Sequence, residues 1–225
     1  MNAQAMLEQL LRSGLSMVEG KPQPAGAPPG DAGWGKFGAG AAAGGALGLL
    51  LGSKRGRKFG GKALKYGSVA ALGVLAYKAY GNWQAQQRQA PSAPPTAAPR
   101  TVDLLPAPEA EQHSRAMLQS MIAAAKADGH LDERERGLVE AEMTRIAADA
   151  QTRQWFEHEL RKPLDPAEVA RAAGSPEMAA EMYLASLLVA DETSFMERAY
   201  LDELARQLRL PEGLKAELER QAPAA

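Results

Sequence analysis

Glycine recurs at every fourth position from Gly40 through Gly44, Gly48, Gly52 and Gly56 to Gly60, and few environments tolerate that spacing. In a helix the six fall on one stripe, bare of side chains, along which a second helix backbone can approach closely. In water each would cost about 1 kcal/mol against alanine. The stretch FGAGAAAGGALGLLL, residues 37–51, is therefore read as a membrane helix, with Gly40, Gly44, Gly48 and Gly52 as its packing positions. The stripe serves a hairpin within one chain as well as contacts between copies in a homo-oligomer.

A second apolar run, GSVAALGVLAYKAY at 67–80, follows the connector SKRGRKFGGKALKY at 53–66. Each run is about 15 residues, short of the roughly 20 that cross a bilayer comfortably. Three arrangements fit: a short two-helix hairpin, one span with an interfacial helix, or a helix pair lying in the interface. Tyr77, Tyr80 and Trp83 suit an interfacial belt. Residues 32–102 carry 10 basic and no acidic side chains, whereas 103–225 carry 14 basic and 24 acidic. Membrane lipid is thus the expected partner of Lys54, Arg55, Arg57, Lys58, Lys62 and Lys65, through anionic headgroups. Nucleic acid is the poorer partner, because apolar runs flank the cluster on both sides.

The rest of the chain divides by composition. Residues 1–19 carry a short amphipathic helix with Met6, Leu7, Leu10 and Leu11 on one face, and they lack the basic n-region and apolar core of a secretory signal. Residues 20–35 read as a disordered linker, 36–83 as the Gly/Ala-rich membrane-associated segment, and 84–109 as a proline-rich tether. Residues 110–221 form an all-helical domain, with helices expected at 110–127, 132–149, 151–161, 166–173, 176–190, 194–209 and 212–221. Its core candidates are Met117, Leu118, Met121, Ile122, Ala125, Leu138, Met143, Ile146, Trp155, Phe156, Tyr183, Leu184, Leu187, Leu188, Phe195, Tyr200, Leu201, Leu204 and Leu208. The fold class is all-α.

With no cysteine in the chain, disulfides, thiolate metal sites and cysteine nucleophiles are excluded. GRKFGGK at 56–62 misses the phosphate-loop pattern, since Ala63 stands where a hydroxyl must hold magnesium. His113, His130 and His158 are isolated from one another and match no metalloprotease motif.

Two stretches look like copies, AKADGHLDERERGLVEAEM at 125–143 and LVADETSFMERAYLDELARQL at 188–208. Both run from a helix through Ala-Asp and a turn into a new helix. Each ends in capping-box spacing, Asp132 with Glu135 and Ser194 with Glu197, which satisfies orphan amides without any ligand. Asp128 and Asp191 lie one turn earlier, so their carboxylates could meet the box glutamates around a hard cation such as calcium or magnesium. The turn lacks the EF-hand pattern.

RAMLQSMIAAAKADGHLDERER at 115–136, together with YLASLLVADETSFMERAYLDELARQLRLP at 183–211, resembles the YebE-type family of uncharacterised bacterial inner-membrane proteins. Their C-terminal region is related to the tellurite-resistance TerB domain. The resemblance implies a TerB-like helical bundle holding a divalent cation on Asp128, Asp132, Glu135, Asp191 and Glu197. The two turns differ in spacing, and Ser194 stands in place of the second acid. It further implies the bacterial inner membrane. The lack of a secretion signal favours a cytoplasmic domain, while a full hairpin would place it in the periplasm. The expected role is a non-enzymatic, membrane-tethered interaction or sensor module of the envelope, its protein partner unidentified. A metal-dependent hydrolase and a purely structural envelope protein are the alternatives, and the first lacks a nameable nucleophile or base.

Overall fold

A computed structural model describes residues 3–18, 69–87, 100–127, 149–190 and 194–222. The glycine stripe, the basic connector and the first acidic turn with Leu138, Met143 and Ile146 lie outside them. Within the described residues the architecture is helical and no strand occurs. In chain order come α1 (Ala3–Val18), α2 (Val69–Gln87), a 3-10 turn (Val102–Leu104), α3 (Ala107–Ala125), α4 (Ala150–Arg161), α5 (Pro166–Ala170), α6 (Pro176–Leu187), α7 (Phe195–Gln207) and α8 (Glu212–Gln221).

Local chemistry explains where several helices start. Asp149 caps α4 by accepting the Thr152 amide at 2.8 Å, Asp165 caps α5 through Ala167 at 2.9 Å, and Ser175 caps α6 through Met178 at 3.1 Å. Proline occupies the first turn of α5 and α6, where its missing N–H is no loss. The Thr152 amide and hydroxyl hold the Asp149 carboxyl well below the ordinary carboxylate range. At its far end α7 closes with the Leu210 amide donating to the Ala205 carbonyl at 3.0 Å, which throws Arg209 into the left-handed region at φ 56°.

The centre of the fold is α6, which packs against α2, α3, α7 and α8. Every residue from Met178 to Leu187 is buried, as expected of a helix apolar on all sides. Small residues at Ala179, Ala180, Ala185 and Ser186 let neighbouring helices approach. The Ser120 hydroxyl donates to the Met182 carbonyl at 3.0 Å and the Ser186 hydroxyl to the Ser120 carbonyl at 3.3 Å, so both stitch α3 to α6.

The second apolar run departs from its expected surroundings. It forms α2, which continues past the apolar stretch into Asn82-Trp83-Gln84, and Leu72, Leu75, Ala76 and Ala79 join the same core as α6 and α8. Among the described residues no helix is long and apolar enough to cross a membrane, so of the three arrangements the hairpin, in which this run spans, is not supported. The polar second half of α2 is the reason: the apolar stretch is too short for a bilayer, and a protein face covers one side of it.

The chain on either side is also drawn in. Thr101 and Val102, read as tether, are buried beneath α2 and α3. Helix α1 lies on α3 with Ala3, Met6 and Leu7 buried. Its first two amides donate to the Glu111 carboxylate, Ala3 at 2.7 Å and Gln4 at 3.1 Å, where negative charge suits the positive end of a helix.

Of the core candidates, Phe195 departs furthest from expectation. It is 84% exposed and its neighbour Met196 59%, whereas Glu197 in the same first turn of α7 is buried, so the turn directs Glu197 and not Phe195 inward. Trp155 is half-buried and stacks its face beneath the Arg115 guanidinium, 5.2 Å from the ring centre.

Candidate functional site

Of the five acidic residues expected at the paired turns, Glu197 lies among the described residues; Asp128, Asp132, Glu135 and Asp191 do not. Glu197 is buried in the first turn of α7, and its amide donates to the Ser194 hydroxyl at 3.5 Å. The amide half of that capping box is therefore formed. Three residues on, Tyr200 is buried beside it, and burial pushes its phenol well above the ordinary range while the hydroxyl has no hydrogen-bond partner. Among the described residues no group of three histidine or acidic side chains could hold a metal ion.

The approach to the first acidic turn is firmly held. The Lys126 ammonium, two residues before Asp128, donates to the Glu159 carbonyl at 3.0 Å and to the Lys162 carbonyl, neutralising the negative end of α4. Lys162 in turn bridges Glu159 at 2.7 Å and Glu168 at 2.8 Å.

Besides Glu159, two buried carboxylates that link helices escaped the sequence reading. Glu181, with 0% exposure, accepts the Val102 amide at 2.8 Å and faces His113 Nδ1 at 3.1 Å. It ties the 3-10 turn and α3 to α6, and His113, isolated in sequence, has a partner 68 positions away. The available signal was a lone acid inside the apolar stretch MAAEMYLASL, since a carboxylate enters such a core only when paired.

Glu217 plays the matching part on α8. It is buried and accepts from Asn82 Nδ2 at 2.7 Å and from Gln221 Nε2 at 3.0 Å, joining α8 to α2. Burial alone would raise its carboxyl, but the Asn82 and Gln221 amides and the Arg220 guanidinium hold it below the usual 4.5. A lowered folded-state pKa means that the unfolded chain takes up the proton first. This stabilisation is therefore complete above about pH 4.5 and lost as the pH falls through the lowered value. Chemical denaturation as a function of pH should show an acid limb that flattens in Glu217→Gln; an unchanged limb would mean that this clamp does not couple protonation to folding.

Between α2, the start of α6 and the α7–α8 turn lies an open cleft of about 650 Å³. Tyr80 and Trp83, edge to face at 5.4 Å, form its aromatic wall. Leu208, Leu210 and Leu214 add aliphatic surface, and Arg171 and Arg209 are the charged residues lining it. Trp83 can lie against α8 because Gly213 has no side chain; a Cβ there would come within 3.0 Å of the indole. The indole N–H is buried and has no acceptor, a condition that folded proteins usually avoid. Arg209, held at φ 56° where glycine would sit without strain, puts a cation at the rim. Apolar walls and two guanidinium groups suit a ligand carrying apolar surface and a negative charge.

Comparison with known proteins gives one family. The family model described as "Protein of unknown function (DUF533)" matches residues 36–222. A relative, "Uncharacterized protein in ampR 5'region" from Yersinia enterocolitica, is 31% identical over 109 residues, which cover 48% of this chain and 78% of the relative. No solved structure matches.

Proposed function

This chain belongs to the DUF533 family, and from that premise we propose that it is a membrane-tethered interaction or sensor module of the bacterial envelope, with a TerB-like helical domain of the YebE type. The observation that carries an interaction role is the cleft. It offers two guanidinium groups, Arg171 and Arg209, beside apolar and aromatic walls, with no carboxylate among its lining residues. Such a surface is poised to accept a partner's acidic or carbonyl groups while burying its apolar ones.

The tether is the segment before α2. Gly40, Gly44, Gly48 and Gly52 pack helices in lipid between copies, and the cluster from Lys54 to Lys65 meets anionic headgroups on the cytoplasmic side of the inner membrane. The full-length chain should therefore float with phosphatidylglycerol vesicles and sediment with membranes after a high-salt wash. Recovery as a monodisperse species without detergent would remove the tether from this reading.

A divalent cation on Asp128, Asp132, Glu135, Asp191 and Glu197 belongs to the same proposal. A ligand bound to the folded state alone stabilises it by about 2.7 kcal/mol at a hundred times its Kd. Thermal melts of the full chain should therefore rise with calcium or magnesium, and less so in Asp128→Ala and Asp191→Ala. Identical melts in all three proteins, with and without ion, would exclude the cation.

A further inference from the structure

Helix α2 is apolar on both sides. Its inner face, Leu72, Leu75, Ala76 and Ala79, is covered by protein. Its outer face carries a stripe of Ala70, Val74, Tyr77, Gly81 and Ala85, spaced by four, three, four and four residues, with a polar edge of Lys78, Asn82 and Gln86 beside it, all exposed. Val74 is 42% and Tyr77 50% exposed. A helix on the surface of a water-soluble domain normally turns charged or polar side chains outward, and here Lys78 is the one charge on α2. Leu104, in the 3-10 turn packed against α2, is a further large apolar side chain open to solvent.

Charge identifies what covers this face. From residue 32 to 102 the chain carries ten basic and no acidic side chains, six of the basic ones between Lys54 and Lys65, directly ahead of α2 in sequence. We infer that α2 is a two-sided interfacial helix: its inner face belongs to the helical core, and its outer stripe lies in the surface of an anionic lipid bilayer. A helix of this kind needs neither the length nor the uniform hydropathy of a spanning segment, because its axis lies parallel to the membrane and only one face enters the boundary between headgroups and acyl chains. Tyr77 is well placed there, with an apolar ring and a polar tip, and Lys78 beside it can reach phosphate. The core, and the cleft wall formed by Tyr80 and Trp83 on the same helix, would then be held against the membrane at a fixed height instead of at the end of a long tether.

The inference rests on the proposed membrane attachment, and the two can fail separately. The chain has no cysteine, so single substitutions Tyr77→Cys and, on the exposed side of α7, Ala199→Cys can each carry an environment-sensitive fluorophore in the full-length protein. With phosphatidylglycerol vesicles the probe at 77 should shift to the blue and be quenched severalfold by bilayer nitroxide lipids, while the probe at 199 should not respond. Phosphatidylcholine vesicles should have little effect at either position. Flotation with both probes remaining in water would overturn the interfacial helix and leave the tether standing. No flotation would remove both. Shielding of position 77 without lipid, growing with protein concentration, would show that a second copy covers the stripe and would equally overturn the inference.

Discussion

Glu181→Ala is expected to destabilise the helical domain by about 2–6 kcal/mol, because it strands two buried hydrogen-bonding groups at once. Deletion of the carboxylate leaves the Val102 amide and the His113 ring without their acceptor in a region closed to water, and each stranded group costs about 1–3 kcal/mol. It also releases the 3-10 turn that links α2 to α3. Glu181→Gln keeps an acceptor oxygen and the side-chain volume, so it should recover part of the loss. Urea denaturation followed by circular dichroism measures both. If alanine costs less than about 1 kcal/mol, the pair is not what fixes the turn. Because total stability is only about 5–15 kcal/mol, the alanine variant should be visibly less abundant in cells.

A fragment beginning at residue 100 should lose cooperative folding. Composition suggests that such a fragment contains the whole domain, but it lacks α1 and α2, whose buried side chains complete the core. A fully buried leucine contributes about 1.5–3 kcal/mol, and α2 supplies Leu72 and Leu75 together with Ala71, Ala76 and Ala79. Its removal also uncovers the surfaces of α6 and α8 that it protects and leaves Glu217 without Asn82. Summed, this approaches the entire stability of an ordinary domain. The expected observation is a broad thermal transition with dye binding to exposed apolar surface. A sharp transition within a few degrees of the full chain would show that α2 is an accessory. Leu72→Asp in the intact protein makes the same test with one residue, since an unpaired carboxylate would then face the core.

Both predictions concern contacts between segments far apart in sequence, and these are what the residue pattern could not supply. Periodicity did supply most of the helices themselves: the expected spans at 151–161, 176–190, 194–209 and 212–221 differ from the observed ones by at most a few residues at an end. Asp149, Asp165 and Ser175, which cap three of the observed helices, explain those starts only once the structure is in hand. Amphipathic periodicity is local, so neighbours in sequence suffice to read it. The candidate site was less legible. The cleft draws residues from α2, α5, α6 and the α7–α8 turn, and no motif marks a surface assembled from four places. His113 and Glu181 are each unremarkable until the fold sets them 3.1 Å apart. Phe195 carries the right hydropathy for a core and the wrong position, because the first turn of α7 turns Glu197 inward and leaves Phe195 on the outer side.

Sequence alone established an all-helical domain, the approximate spans of most of its helices, and the separation of a basic, glycine-rich segment from an acidic remainder. It also showed that the run at 67–80 must be shielded from water. Only the tertiary structure decided that protein shields its inner face, because hydrophobicity measures aversion to water and carries no preference between a lipid chain and a leucine from another helix. That choice depends on whether α6 and α8 present a complementary surface at the right height, which is a property of the assembled fold.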